Sequence, residues 1–239
     1  MQLLNAVACS PSPSTVPELA KMCGLNRSTA WRLLNTLEHH GIVERDPLSQ
    51  RYHVGYGTIR LATATVDHRS LVRRARPVLE RLADETGETV NLGVGTFSAA
   101  VCIDQVDAGH VISLNWIGRQ MPLHCTSIGL AVLSYLPESE RESVLQQPRK
   151  AYTKLTLVDE AQLREVLARV RDRGFCVAVD DYETGIGGVT APVLDAEGRA
   201  STLVSVSGPS FRLPRTTLET LGPRVAAAAA EIGRRLRKN

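Results

Sequence analysis

Ser28, Thr29, Arg32, Asn35 and His39 recur at intervals that put them on one side of a helix running from about Asn26 to His39. At about 100 degrees per residue, Ala30, Leu33, Leu34 and Leu37 then fall on the opposite side. The polar side carries hydroxyls, a guanidinium and an amide, and no acid. Asn26 and Arg27 add an amide and a cation at its start. Such groups contact phosphates and hydrogen-bond base edges. Downstream, Arg45, Gln50, Arg51 and Tyr52 flank the turn Asp46-Pro-Leu-Ser-Gln, giving a hairpin with a basic tip. The chemistry implied is nucleic-acid binding. The alternative is a small helical bundle with an ordinary solvated face. The Gly turn, the acid-free face and the basic hairpin together favour DNA. Glu38, Glu44 and Asp46 are expected to face away from the duplex.

A second group lies in the C-terminal half. Ser205 and Ser207 have the same parity on a strand, so their hydroxyls share one face and Val206 takes the other. The segment Thr126-Ser127-Ile128-Gly129 leads into a helix. Hydroxyls beside free backbone amides suit a carboxylate or carbonyl. The alternative is serines paired with neighbouring backbone on an exposed sheet face. Asp180 and Asp181 either bind an amine or hydroxyl or cap a loop. Met121 and Trp116 line an apolar pocket or belong to the core. Gly185, Gly187 and Gly188 form a Gly-rich turn without the strand-to-helix setting of a dinucleotide loop.

An enzymatic reading rests on the adjacent His124 and Cys125. Neighbours on a strand point to opposite faces, so the pair is not expected to hydrogen-bond. No G-x-S-x-G or H-E-x-x-H motif occurs. His39, His40, His53, His68 and His110 show no metal-ligand spacing. No catalytic residue, metal or cofactor is expected.

These groups need elements to hold them. Thr15 and Glu18, three apart, open a helix over Val16 to Met22 with a capping-box pattern, and Gly24 stops it. A brief helix, Gln2 to Cys9, precedes it. Ile42 to Val54 alternates as a hairpin, and Gly57 to about Arg69 reads as a linker helix. Leu71 to Thr86 is amphipathic, with Val78, Leu79 and Leu82 inward. Strands are predicted over Val90 to Val94, Ala99 to Val106, Val111 to Trp116, Cys176 to Val179, Val189 to Leu194 and Ser201 to Ser207. Helices are predicted near Ile128 to Leu136, over Asp159 to Arg173 and over Thr216 to Leu236. The domains implied are 1–56, a winged helix-turn-helix; 57–70, the linker; and 71–239, an effector-binding α/β domain, α+β in overall class. With 239 residues, 43% apolar, 4% aromatic and a net charge of +3, the chain builds its cores from aliphatic residues and is only mildly basic. Five scattered cysteines read as reduced thiols, and no apolar run reaches membrane-spanning length, so a soluble cytoplasmic protein is expected.

Gly24-Leu-Asn-Arg-Ser-Thr-Ala-Trp-Arg-Leu-Leu-Asn-Thr-Leu-Glu, Gly41-Ile-Val-Glu-Arg-Asp and Arg51-Tyr-His-Val-Gly resemble the IclR family of transcription regulators. The likeness continues through Ala75-Arg-Pro-Val-Leu, Glu85-Thr-Gly-Glu-Thr-Val-Asn-Leu, Pro122-Leu-His-Cys-Thr-Ser-Ile-Gly, Thr190-Ala-Pro-Val, and Ser205-Val-Ser-Gly-Pro with Arg212. The resemblance implies a winged helix-turn-helix, a linker helix and a GAF-like sensor domain. It implies a homodimer, often paired into a tetramer, on a palindromic DNA operator. It implies a small-molecule effector, usually an organic acid or aromatic catabolite, and repression or activation as output. Family pocket positions fall on Ser127, Ile128, Gly188, Ser205 and Ser207. Three departures stand out: Ala178 and Val179 where the family often has acids, Gly188 where it often has cysteine, and Leu130 where lysine is common. The remaining alternative function is a small-molecule sensor acting by protein contact.

Overall fold

Glu18 starts the N-terminal unit by closing a ring on its own helix: its carboxylate accepts the Thr15 backbone N–H at 2.7 Å, completing the capping box of α2, Val16–Met22. The computed structural model describes the chain apart from residues 11, 56, 59–65, 96–98, 110–113, 201, 238 and 239, and apart from the side chains of 66–69. It divides into two units, residues 1–70 and 71–239.

In the first unit α1, Gln2–Cys9, and α2 pack on α3, Arg27–His39, over a core of Leu3, Val7, Leu19, Ala30, Leu34, Val43 and Tyr52. Gly24 sits at φ +65° between α2 and α3, a left-handed position where a Cβ is strained. Asn26 then caps α3, its side-chain oxygen accepting the Thr29 N–H at 2.8 Å. The wing follows as β1, Val43–Arg45, paired antiparallel with β2, Tyr52–Val54. Ser14 bridges to the far side of Tyr52. Leu33 departs from the expected apolar face. It lies at the flank of the stripe and is 46% exposed. In the linker segment, 57–58 are helical, 59–65 lie outside the described residues, and 66–69 belong to α4, Val66–Thr86.

The second unit is a six-stranded antiparallel sheet in the order β5-β4-β3-β8-β7-β6. The strands are β3, Thr89–Gly95; β4, Ala100–Val106; β5, Gln120–Met121; β6, Cys176–Val179; β7, Ile186–Val193; and β8, Thr202–Pro209. One face carries Val90, Leu92, Val189, Val204 and Val206 and is covered by α4 and by α8, Arg215–Arg237. The other face is covered by α5, Ser127–Tyr135; α6, Glu138–Leu145; and α7, Glu160–Arg173. Each aliphatic side chain fully buried between these layers contributes about 1.5–3 kcal/mol. Gly93 allows α5 to lie close on β3, since a Cβ there would stand 2.3 Å from Ile128 Cδ1.

The mixed helix-and-sheet class agrees with the sequence reading. Two local differences from that reading appear in this unit. Helix α6 was not foreseen, and the strand expected over Val111 to Trp116 is absent where it can be described. Residues 111–113 lie outside the described residues, and Leu114, Asn115 and Trp116 are irregular. The Trp116 N–H donates to the Gln105 side chain at 2.9 Å in place of a strand partner.

Candidate functional site: nucleic-acid interface and ligand cavity

Helix α3 presents Arg27, Ser28, Trp31, Arg32, Thr36 and His39 to solvent, with Thr29 and Asn35 half-buried beside them. Its first turn holds no acid. An open groove runs between α3, the start of α2 and the wing, lined by Thr15, Pro17, Arg27, Ser28, Trp31, Arg45 and Gln50. The wing turn is built by Asp46, whose carboxylate accepts the N–H groups of Leu48 and Ser49 at 2.7 and 3.0 Å. These bonds hold the Asp46 carboxyl below its usual range. Gln50 stands at φ +57° at the tip.

The candidate DNA residues separate by environment. Arg27, Ser28, Arg32, Arg45 and Gln50 are exposed. Asn26 is exposed, but its side-chain oxygen is engaged by Thr29 N and by the Ser28 hydroxyl at 2.9 Å. Arg51 is partly engaged within the domain, donating to the Pro13 carbonyl at 2.7 Å and to Glu18 at 3.3 Å. Tyr52 is a correction. It is fully buried, and its ring packs in the core under Arg45, whose guanidinium lies 5.9 Å from the ring centre. The inward phase of β2 takes it away from the wing surface. Trp31, 49% exposed, was missed because an indole on a polar helix face reads as core from sequence.

The second site is a cavity of about 590 Å³, counting its open mouth, on the α5 side of the sheet. Met121, Ser127, Ile128, Gly188, Ser205 and Ser207 all line it. Antiparallel pairing brings them together: Ser205 lies opposite Asn91 and Thr190, and Ser207 opposite Thr89 and Gly188. Asn91, which sequence reasoning missed, donates to the Ser207 hydroxyl at 2.9 Å. Ser127, at the start of α5, shares a hydrogen bond of 2.8 Å with Thr190. Trp116, Met121, Ile128 and Ile186 supply apolar wall, and Cys102 and Cys125 supply thiols.

Two proposed cavity residues lie elsewhere. Gly129 packs into the α5 cap: its N–H donates to Thr126 Oγ1 at 2.9 Å, and a Cβ there would stand 2.2 Å from the Pro122 carbonyl oxygen. Asp180, at φ +62°, turns its carboxylate to the Gly185 N–H at 2.7 Å and so caps the β6–β7 loop. Its neighbour Asp181 is on the cavity wall, as is the more exposed Glu183. Burial pushes the Asp181 carboxyl above its usual range.

His124 and Cys125 sit in a turn and not on a strand. The His124 Nε2 contacts the Lys150 carbonyl at 2.9 Å, while Cys125 is buried on the cavity wall. Burial raises the Cys125, Cys102 and Cys176 thiols to about 12. Such groups are protonated and poor nucleophiles at neutral pH. Among the described residues, no group of three His, Cys, Asp or Glu side chains is placed to hold a metal ion, and no helix is long and apolar enough to cross a membrane.

Comparison with known proteins finds two family models and many relatives that match the chain. The family model described as the IclR helix-turn-helix domain matches residues 1–47, and that described as bacterial transcriptional regulator IclR C-terminal matches residues 63–234. The HTH-type transcriptional regulator BhcR of Paracoccus denitrificans is 33% identical over 97% of this chain and 84% of its own length. The transcriptional repressor IclR of Escherichia coli is 31% identical over 97% and 86%. An IclR transcriptional regulator from Alicyclobacillus acidocaldarius superposes with a TM-score of 0.81 at 26% identity, over 98% of this chain and 95% of that one. The same fold occurs in an IclR homologue from Microbacterium hydrocarbonoxydans solved in complex with 4-hydroxybenzoate, with a TM-score of 0.80 at 24% identity over 100% and 97%. The chain belongs to the IclR family of bacterial transcriptional regulators, with an N-terminal helix-turn-helix domain that binds DNA and a C-terminal domain that binds an effector.

Proposed function

We propose that this regulator binds a palindromic operator as a homodimer, and that a small organic acid in the C-terminal cavity changes its operator affinity. The domains are 1–56 for DNA, 57–70 as linker and 71–239 for the effector. Arg27, Ser28, Arg32 and Asn35 of α3 meet the major groove, while Arg45 and Gln50 of the wing meet the backbone. Two-fold symmetry then sets half-sites about one helical turn apart. The acid-free exposed face of α3 beside a basic wing is the observation that carries the DNA reading.

The effector's carboxylate or carbonyl lies among Ser205, Ser207 and Asn91, near the first-turn amides of α5. The Gly129 amide is taken by the Thr126 cap, and those of Ser127 and Ile128, at the positive end of the helix, favour negative charge. The cavity is a binding site and not a thiol active site, since burial raises both thiols on its wall to about 12. The protein works in the cytoplasm, where the operator is. Control follows if the ligand binds the DNA-competent and DNA-incompetent arrangements with different affinity.

The test is fluorescence anisotropy of the full chain on duplexes selected from a random pool, with and without small carboxylic acids. Specific binding that weakens steeply with salt, and shifts with one of the acids, is expected. No preference for any duplex under either condition overturns the reading.

A further inference from the structure

Asp181 lies on the cavity wall, and the protein uses only half of its carboxylate. Oδ2 accepts the Val179 N–H at 2.9 Å, and Oδ1 has no hydrogen-bond donor among the described residues. The loop that carries it is fixed from several sides. The Thr153 hydroxyl donates to the Asp180 carbonyl at 2.7 Å, and the Thr156 hydroxyl donates to the Asp181 carbonyl at 2.6 Å. Thr156 Oγ1 in turn accepts the N–H groups of Tyr152 and Thr153 at 2.9 and 2.8 Å. The Tyr182 ring meets Tyr152 edge-on, with centroids 4.9 Å apart.

This framework holds an acid in a place that does not favour one. No Lys or Arg is among the described residues lining the cavity, whose wall includes Ile186, Trp116, the buried Cys125 and a second acid, Glu183. The charge of Arg215, outside that lining, favours the ionised Asp181 carboxyl but is outweighed by burial. A half-solvated carboxylate facing apolar surface is disfavoured unless a donor completes it. Asp180, one residue earlier, caps the loop through Gly185, so Asp181 is not needed for that turn.

We infer that the effector carries a hydrogen-bond donor, a hydroxyl or an ammonium, which pairs with Asp181 while its acid or carbonyl end lies at Ser205, Ser207 and Asn91. This rests on the effector-site reading above. The ligand class is therefore a hydroxy- or amino-substituted small acid and not a plain carboxylic acid. A hydrogen bond to a charged group is worth about 1.5–3 kcal/mol, which corresponds to a preference on the order of tenfold or more.

Isothermal titration of the full-length protein tests this with two matched series. One is propionate, lactate and alanine. The other is benzoate, 3-hydroxybenzoate, 4-hydroxybenzoate and 4-(aminomethyl)benzoate. In at least one series the wild-type protein is expected to bind a substituted member about tenfold or more tighter than its parent. The hydroxyl and ammonium arms tell the two donors apart. Asp181→Ala is expected to erase the difference between parent and substituted acid. Asp181→Asn keeps an acceptor but loses the charge, so it erases the ammonium preference and reduces the hydroxyl one. If parent acids bind as tightly as substituted ones, or if the preference survives in Asp181→Ala, the inference is overturned and the effector-site reading stands. If no member of either series binds, both are overturned. The wild-type comparison decides the matter even if neither variant folds.

Discussion

Asn91 donates its side-chain amide to the Ser207 hydroxyl at 2.9 Å, although its direct partner across the β3–β8 ladder is Ser205. The diagonal contact matters because it fixes a hydroxyl rotor. With the Ser207 oxygen accepting from Asn91, the Ser207 proton is free to donate into the cavity. A carboxylate or carbonyl arriving there meets a donor already turned toward it.

Asn91→Ala should therefore weaken effector binding by about tenfold, because the Ser207 hydroxyl is no longer held ready to donate to the ligand's charged end. Because both groups are buried, the change should also destabilise the fold by about 1–3 kcal/mol. The combined Ser205→Ala and Ser207→Ala variant removes both floor hydroxyls and should abolish the effect of ligand on operator binding. Titration calorimetry and operator anisotropy read these two quantities. A full ligand response in the double variant would remove the β8 serines from the site.

Arg32 projects from the centre of the exposed face of α3, and nothing in the domain core depends on it. Arg32→Ala should cost about 1–3 kcal/mol of specific operator binding if the guanidinium reads a base edge. Its thermal unfolding should match the parent. Arg45→Ala, on the wing, should instead weaken all duplexes alike and lower the salt slope by about one. Competition titrations at several salt concentrations separate these two signatures. Equal losses on specific and random DNA for Arg32→Ala would move that residue to the backbone class.

Tyr52 is a test of burial against surface chemistry. Its hydroxyl is buried without a hydrogen-bond partner among the described residues, so removing it sheds an unsatisfied polar group. Tyr52→Phe should leave stability unchanged or raise it slightly, with operator affinity intact. Tyr52→Ala should cost on the order of 3–5 kcal/mol, as for other large core aromatics. Denaturant unfolding measures both. A specific loss of DNA affinity in Tyr52→Phe would return the hydroxyl to the interface.

The Tyr52 result shows where sequence reading succeeds and where it stops. Helix α3 was legible because its apolar stripe repeats over several turns, and Asn26 announces its start. The wing was legible as a hairpin, but its phase is fixed by Ser14 pairing on the outer side of Tyr52, a contact between residues 38 apart in sequence. Leu33 was read as core because a stripe defined by spacing alone has no sharp edge. In the cavity, the parity of Ser205 and Ser207 was visible within one strand. Asn91 and Cys102 were not, because antiparallel pairing of three strands is what brings them beside those serines. Asp180 and Asp181 are chemically identical, and only the left-handed backbone at Asp180 decides which one faces the cavity.

Thiol reactivity bears on whether the cavity has any chemistry of its own. Cys9 is exposed, while Cys102, Cys125 and Cys176 are buried with thiols raised to about 12. At pH 8 the thiolate fraction of such a group is on the order of one in ten thousand, rising tenfold with each pH unit. Iodoacetamide at pH 8 should thus label Cys9 well before the three buried thiols, with peptide mapping by mass spectrometry as the readout. Rapid labelling of Cys125 near neutral pH would reopen the nucleophile reading.

The two tryptophans give the last prediction, since each belongs to a different site. Trp31 is 49% exposed in the groove between α3 and the wing, and Trp116 is 7% exposed on the cavity wall. An exposed indole is quenched and blue-shifted when a duplex covers it, and a buried one responds to a ligand placed against its ring. Trp116→Phe, which keeps only Trp31, should change emission on operator addition and stay silent to an effector acid when no DNA is present. Trp31→Phe, which keeps only Trp116, should respond to the acid. It should also bind operator more weakly, because the apolar surface that Trp31 offers to sugars and thymine methyl groups is reduced. An operator signal carried by Trp116 alone, with Trp31 unresponsive, would mean that the groove beside α3 does not meet the duplex.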